Sequence, residues 1–175
     1  MKRMLCALLA LIWITCPAWA ETTVLPSLPT PEAAPAGEAV SIDGVSLTLP
    51  AGFITLDADA LEGYAAAVES DYPGAAQILL AAQNAQREAY IALLSRESEV
   101  AAADAACEAA ERILGDSDGV AEVQYGENPC AAMACAIEGR TYTLYFLSNG
   151  DRLLICAVSA LEAQEIAEML AGLAF

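Results

Sequence analysis

The sequence predicts an α+β fold: a mostly antiparallel sheet covered by helices on both faces, an α/β/α sandwich. Three observations predict it. Strand-like segments come in runs separated by single helical segments, in the order two strands, helix, two strands, helix, four strands, helix. The strands of the last two hairpins are apolar on both sides, with Met133, Ile137, Leu144, Phe146 and Ile155 on one and Tyr145, Leu147, Leu154 and Val158 on the other. A sheet of that kind needs cover on both sides. The third helical segment, at the C-terminus, offers Ile166, Met169, Leu170 and Leu173 as one apolar face.

The elements follow in order. Val40–Ile42 and Val45–Leu49 flank Asp43-Gly44, a strong two-residue hairpin signal. Val45, Leu47 and Leu49 alternate with Ser46 and Thr48, so one face is buried and one is wetter. Pro50 and Gly52 end that strand, and Asp57 is placed to cap a helix running to about Glu69, ahead of the breaker Tyr72-Pro73-Gly74. Residues 76–95 fit two periods. Ala75, Ile78, Ala82, Ala85, Ala89 and Ala92 recur at helical spacing, yet the largely polar Gln83–Glu88 divides two apolar runs. A helix here would nearly fuse with the next one. The preferred reading is a hairpin, Ile78–Ala82 against Tyr90–Leu94, with its loop at Asn84–Arg87.

Beyond Ser98, Val100, Ala103, Cys107, Ala110 and Leu114 form a narrow helical stripe, and Gly115 ends it. The segment "VAEVQYG" reads as a strand, and Asn128-Pro129 as a turn. Two hairpins follow with turns at Gly139-Arg140 and Asn149-Gly150. These turns would oppose Cys135 to Leu144, Leu144 to Ile155 and Cys156 to Thr143. The last helix is expected to open on Ser159-Ala-Leu-Glu162 as a capping box.

With the elements in place, the chain resembles the PsbP-like family of secreted and lumenal domains. The likeness rests on "VSLTLPAGF", on "RTYTLYFLSNGDRLLICAV" and on the closing amphipathic helix, and it spans roughly residues 40–175 in element order. It implies an α/β/α sandwich used for binding or as an accessory subunit, usually without catalysis. Phe53 stands where the family often has tryptophan after the Leu-Pro-x-Gly turn.

The 39 residues before the domain read differently. Lys2 and Arg3, the apolar Leu5–Ile14, Pro17 and Ala18-Trp19-Ala20 have the three parts of a secretory signal, so residues 1–20 are expected to be removed and the mature chain to start at Glu21. The apolar run is too short for a membrane span. Residues 21–39 hold Pro26, Pro29, Pro31 and Pro35 with few large apolar side chains, and read as a disordered or extended tether.

From Glu21 onward the chain has five arginines, no lysine and all 24 acids, a formal charge of −19. Such a polyanion is repelled by nucleic acid and by anionic membrane surfaces, so neither is expected as a partner. With no histidine in the chain, Ser-His-Asp and Cys-His catalysis and imidazole metal ligation are excluded. The mature chain has no lysine for a phosphate loop and no tryptophan platform for sugars. Asp57, Asp59 and Glu62, like Asp116 and Asp118, fall short of a calcium loop and suit a helix cap and a turn better. No cofactor and no metal are expected.

Four cysteines remain in the mature chain, Cys107, Cys130, Cys135 and Cys156, with no Cys-x-x-Cys pair. Opposite strand parity keeps Cys135 and Cys156 apart. The helix before Gly115 is expected to bring Cys107 to Cys135 as one buried contact, as a disulfide or as two thiols, with Cys130 and Cys156 separate; the alternative is that Cys107 is only a small core residue. The functional expectation is an exported, monomeric, non-catalytic binding or accessory module of the cell envelope, with a protein or small-ligand partner. The alternatives are a small secreted hydrolase with paired carboxylates and a purely structural tethered domain.

Overall fold

The structure, a computed structural model, describes residues 20–23, 25–30, 37–62, 77–125, 128–137 and 140–175. The expected signal segment before Ala20, the later part of the helix expected from Asp57, and the expected breaker at Tyr72–Gly74 lie outside them.

An antiparallel sheet organises the domain. Its strands are β1 (Ala20–Thr22), β4 (Ile54–Thr55), β5 (Gln77–Asn84), β6 (Ala89–Glu97), β7 (Ala121–Tyr125), β8 (Asn128–Ile137), β9 (Arg140–Ser148) and β10 (Arg152–Ser159). Their order is β1-β8-β9-β10-β6-β5-β4, with β7 also paired to β8. The hairpin of β2 (Ala39–Ile42) and β3 (Val45–Thr48) is a separate two-stranded sheet. Two helices are described in full, α1 (Ala102–Leu114) and α2 (Ala163–Ala171). The fold is α+β with a mostly antiparallel sheet, as the element order implied.

Strand parity divides the interior into two clusters. One takes Ala131, Met133, Cys135, Leu144, Phe146, Ile155 and Ala157, together with the α1 residues Ala102, Ala105, Ala106, Ala110 and Ile113. The other takes Cys130, Ala132, Tyr145, Leu147, Leu154, Cys156 and Val158, with Val45, Leu47 and Leu49 of the small hairpin and Ile166, Met169 and Leu170 of α2. Alternate residues of β8, β9 and β10 therefore serve different cores.

Residues 77–97 form a hairpin. Asn84 Oδ1 accepts the N–H groups of Gln86 and Arg87 at 3.2 and 3.3 Å, which shapes the loop in the expected place. A register shift between Ile78 and Leu80 turns both Leu79 and Leu80 toward the second cluster, which suits an uninterrupted apolar run. At β2–β3, Asp43 and Gly44 have φ of 50° and 75°, the conformation an Asp-Gly hairpin turn supplies. Arg152 pins the hairpin tip to the sheet, donating to the Asp43 carbonyl at 2.7 Å and to its carboxylate.

Several expectations needed correction. Asn128-Pro129 is not the β7–β8 turn, because Tyr125 pairs with Asn128 and Pro129 lies within β8. Arg140 is not a turn residue either, since it belongs to β9 and opposes Ile137. The loop between β9 and β10 closes on Ser148 and Leu153, with Asn149 Oδ1 accepting Arg152 N–H at 3.0 Å. Cys135 thus opposes Tyr142, Leu144 opposes Ala157, and Cys156 opposes Tyr145. Each slip is by two residues, so every side chain keeps its expected face.

The stripe expected on α1 is rotated. Ala102, Ala106 and Ala110 are fully or almost fully buried, whereas Val100 is 40% exposed and Cys107 half-buried. Small side chains let the helix lie close to the sheet, and that contact outweighs the larger residues on the flank. Ser159 does not cap α2. It belongs to β10, and its hydroxyl donates to the Thr141 carbonyl at 2.9 Å. The capping box falls three residues later, with Glu165 accepting the Glu162 N–H at 3.0 Å.

Residues of the proline-rich stretch are docked. β1 pairs with the end of β8, Ala20 opposite Ile137 and Thr22 opposite Cys135. Thr23 N–H donates to the Ala134 carbonyl, and Leu25 and Leu28 pack on the second cluster. β7 covers the other half of the same β8 edge, from Asn128 to Ala132. Paired backbone groups and two leucines give this stretch more to bury than its prolines suggested.

Candidate functional site

Three chain connections meet at one end of the sheet: the β5–β6 loop, the start of β9, and the β10–α2 junction. They border an open cleft of about 350 Å³ lined by Arg87, Glu88, Arg140, Thr141, Ser159 and Ala160. That volume lies within the range of small-ligand sites.

Arg87 leaves the β5–β6 loop and forks onto Glu165 in the first turn of α2, with Nη1–Oε1 at 2.6 Å and Nη2–Oε2 at 2.8 Å. The planar guanidinium matches a carboxylate in this bidentate form. The Arg87 hydrogen bond holds the Glu165 carboxyl below its ordinary range, against a smaller opposing effect of burial. Glu165 in turn raises Arg87. Glu165 therefore closes its helix cap and fixes the loop with one side chain.

Arg140 opens β9. Its Nη1 donates to the Glu88 carbonyl at 2.8 Å and its Nη2 to Glu88 Oε2 at 2.9 Å. The guanidinium also lies over the Tyr90 ring, 5.7 Å from its centre, where the negative face of the ring favours a cation. Glu88 and Ala160 adopt φ of 50° and 58°, left-handed conformations that disfavour residues with a Cβ. Both line the cleft. Such strain persists only where its surroundings enforce it, and it concentrates at binding sites.

The cleft thus presents two rigid guanidinium groups, the Glu88 carboxylate, and the hydroxyl-bearing Thr141 and Ser159. It suits a polar ligand that accepts and donates hydrogen bonds. No single motif announced it, because Arg87, Arg140 and Glu165 come from distant segments. The usable signal was the scarcity of cations: two of five arginines after Glu21 sit beside chain reversals that converge.

The cysteines singled out earlier lie elsewhere. Cys135 is fully buried in the cluster that receives α1, while Cys107 sits on the flank of that helix. All four cysteines from Cys107 to Cys156 are free thiols and no pair lies at disulfide distance. Burial pushes the Cys130, Cys135 and Cys156 thiols up to about 12. Thiolate chemistry at neutral pH is closed to these three.

The acidic pairs have local uses. Asp57 Oδ1 accepts the Ala60 N–H at 2.8 Å at the start of the helical residues 58–62, and Asp116 Oδ1 accepts the Asp118 N–H at 3.2 Å. Among the described residues, no group of three or more His, Cys, Asp or Glu gathers as a metal site would need, and no helix is long and apolar enough to cross a membrane.

No protein-family model matches the chain, and no curated protein does. Among solved structures, it is similar to the solution structure of the cyanobacterial PsbP (CyanoP) of Synechocystis sp. PCC 6803, at 11% identity and a TM-score of 0.44, over 83% of this chain and 82% of that one. It is also similar to a crystal structure from Bacteroides thetaiotaomicron VPI-5482, at 17% identity and a TM-score of 0.47, over 75% of this chain. The chain spans 44% of that second protein's length.

Proposed function

We propose that this chain is an exported, non-catalytic binding or accessory module of the cell envelope, built as a three-layer sandwich, whose partner or small ligand sits in the Arg87–Arg140 cleft. One observation carries the reading. Two arginines, held rigid by Glu165 and Glu88, converge on a ligand-sized cleft whose rim contains two strained non-glycine residues. Preorganised polar groups of this kind favour recognition, since little ordering remains to be done on binding.

The chemistry of the cleft supports binding over hydrolysis. A paired-carboxylate hydrolase needs one carboxyl held protonated as an acid. Glu165 is shifted the opposite way, and Glu88 is committed to Arg140. Export is supported by the sequence before Glu21.

The test is recovery of the protein from the envelope or medium of its native host, followed by mass spectrometry of whatever stays bound. The expected result is a chain starting at Glu21 that retains a ligand or partner, with Arg140→Ala losing it while keeping its melting temperature within a few degrees. An intact Met1 on exported material would sink the export reading. Equal retention by wild type and variant would sink the cleft.

A further inference from the structure

A second cleft lies at the far end of β6 from the first, between α1 and the sheet. Its floor is apolar, made by Phe146, Leu153 and Ile155. Ala105 and Ala109 form the α1 wall, and their small size leaves a notch of about 40 Å³ where larger residues would close onto the floor. Arg96 and Arg112 stand at the rim, with Glu108 beside them. Counting along β6 from Glu88, Arg96 is about 26 Å from the first site at the usual strand rise.

The distribution of charge sets Arg96 apart. Arg87 is paired with Glu165, Arg112 with Glu108, Arg140 with Glu88 and Arg152 with Asp43. Among the described arginines, Arg96 alone has no ion pair and no hydrogen bond. In a chain with 24 acids, a carboxylate for it would be easy to supply. Its neighbour Glu97 points to the other face by strand alternation, so it does not neutralise this rim. Arg112 and Glu108 cancel, which leaves the cleft with one uncompensated positive charge over an apolar notch. The overall negative charge does not abolish this, because screening at physiological salt confines exposed charges to about 8 Å.

We propose that this cleft binds a small aliphatic carboxylate, its carboxylate on the Arg96 guanidinium and its alkyl end in the notch walled by Ala105 and Ala109. Size limits the alkyl part. The notch is well below the roughly 150 Å³ that accepts a benzene ring, so a short chain fits and an aromatic acid does not. The planar donor fork of arginine favours a carboxylate over a halide, and the apolar floor favours butyrate over acetate. This site is independent of the Arg87–Arg140 cleft.

The experiment is a titration of the full chain, followed by amide and methyl chemical shifts, with sodium butyrate, sodium acetate, sodium benzoate, sodium chloride and butylammonium chloride at fixed ionic strength. Butyrate is expected to give saturable shifts centred on Ala105, Ala109 and Leu153, with acetate weaker and the other three without saturation. Arg96→Gln is expected to weaken butyrate by about tenfold or more, as loss of a charge-assisted bond implies. Because Arg96 is exposed and unpartnered, that variant keeps the fold, and an unchanged spectrum elsewhere checks it. Shifts that persist in R96Q, saturation by butylammonium or benzoate at the same residues, or no saturable response to butyrate would each overturn the proposal.

Discussion

Buried thiols have a testable consequence at the scale of single residues. Cys130, Cys135 and Cys156 are desolvated and pushed up to about 12, while Cys107 is half-buried on a helix flank. Of these four, only Cys107 is expected to react promptly with a thiol reagent at pH 8, the others following on unfolding; peptide mapping after brief alkylation checks it. Prompt labelling of Cys156 in the folded protein would contradict the burial. Glu165 gives a pH-dependent counterpart. Its carboxyl is held down in the fold, so its contribution is present above the unfolded value and is lost as pH falls through the folded one. Glu165→Gln should cost about 1 kcal/mol near pH 7, a figure discounted for the partial exposure of the pair. In denaturant titrations that cost should shrink once pH drops below about 4, the ordinary glutamate range. Some residue roles were readable beforehand. Asp43-Gly44 and Asp57 act through local backbone geometry, which adjacent sequence encodes. The Arg87–Glu165 fork joins residues 78 positions apart, and no local pattern encodes it.

At the scale of elements, α1 shows what periodicity misses. Hydropathy favoured Val100, Ala103, Cys107, Ala110 and Leu114 as the inward stripe, and of these only Ala110 is fully buried, because alanine scores weakly while packing best at close approach. The buried line is Ala102, Ala106 and Ala110. Ala106→Leu should therefore destabilise by about 1–3 kcal/mol through overpacking. Val100→Ala should stay within about 0.5 kcal/mol, as surface changes do. Equilibrium denaturation of the two variants decides between the stripes, and the reverse order would restore the expected one. The sheet was more legible than the helix for a definite reason. Turn positions slipped, but only by even steps, and parity survives an even slip. Cys135 and Cys156 were placed on opposite faces for that reason, although neither had its partner assigned correctly. The docking of residues 20–23, Leu25 and Leu28 was hidden because edge pairing depends on an available strand, β8, rather than on the segment's own composition.

For the whole molecule, the governing quantity is the charge of −19 left by five arginines against 24 acids beyond Ala20. Two electrostatic effects oppose each other as salt is added. The four ion pairs among the described residues weaken, but all involve partly exposed side chains, and such pairs contribute about 0–1 kcal/mol each. Repulsion among the remaining carboxylates also weakens, and it involves most of the acids in the chain. Compaction brings those charges closer than they are in the unfolded state, so their mutual repulsion acts against folding. The larger number of like-charge contacts decides the sign. Raising sodium chloride from about 10 mM to 0.5 M shortens the screening length from about 30 Å to less than 10 Å, which removes long-range repulsion before it affects pairs in direct contact. The melting temperature should therefore rise with salt by several degrees in calorimetry or circular dichroism. The same charge predicts no salt-sensitive micromolar binding to DNA, RNA or anionic vesicles at physiological ionic strength. A melting temperature that falls with salt would show that the arginine pairs, few as they are, outweigh the field of the unpaired acids.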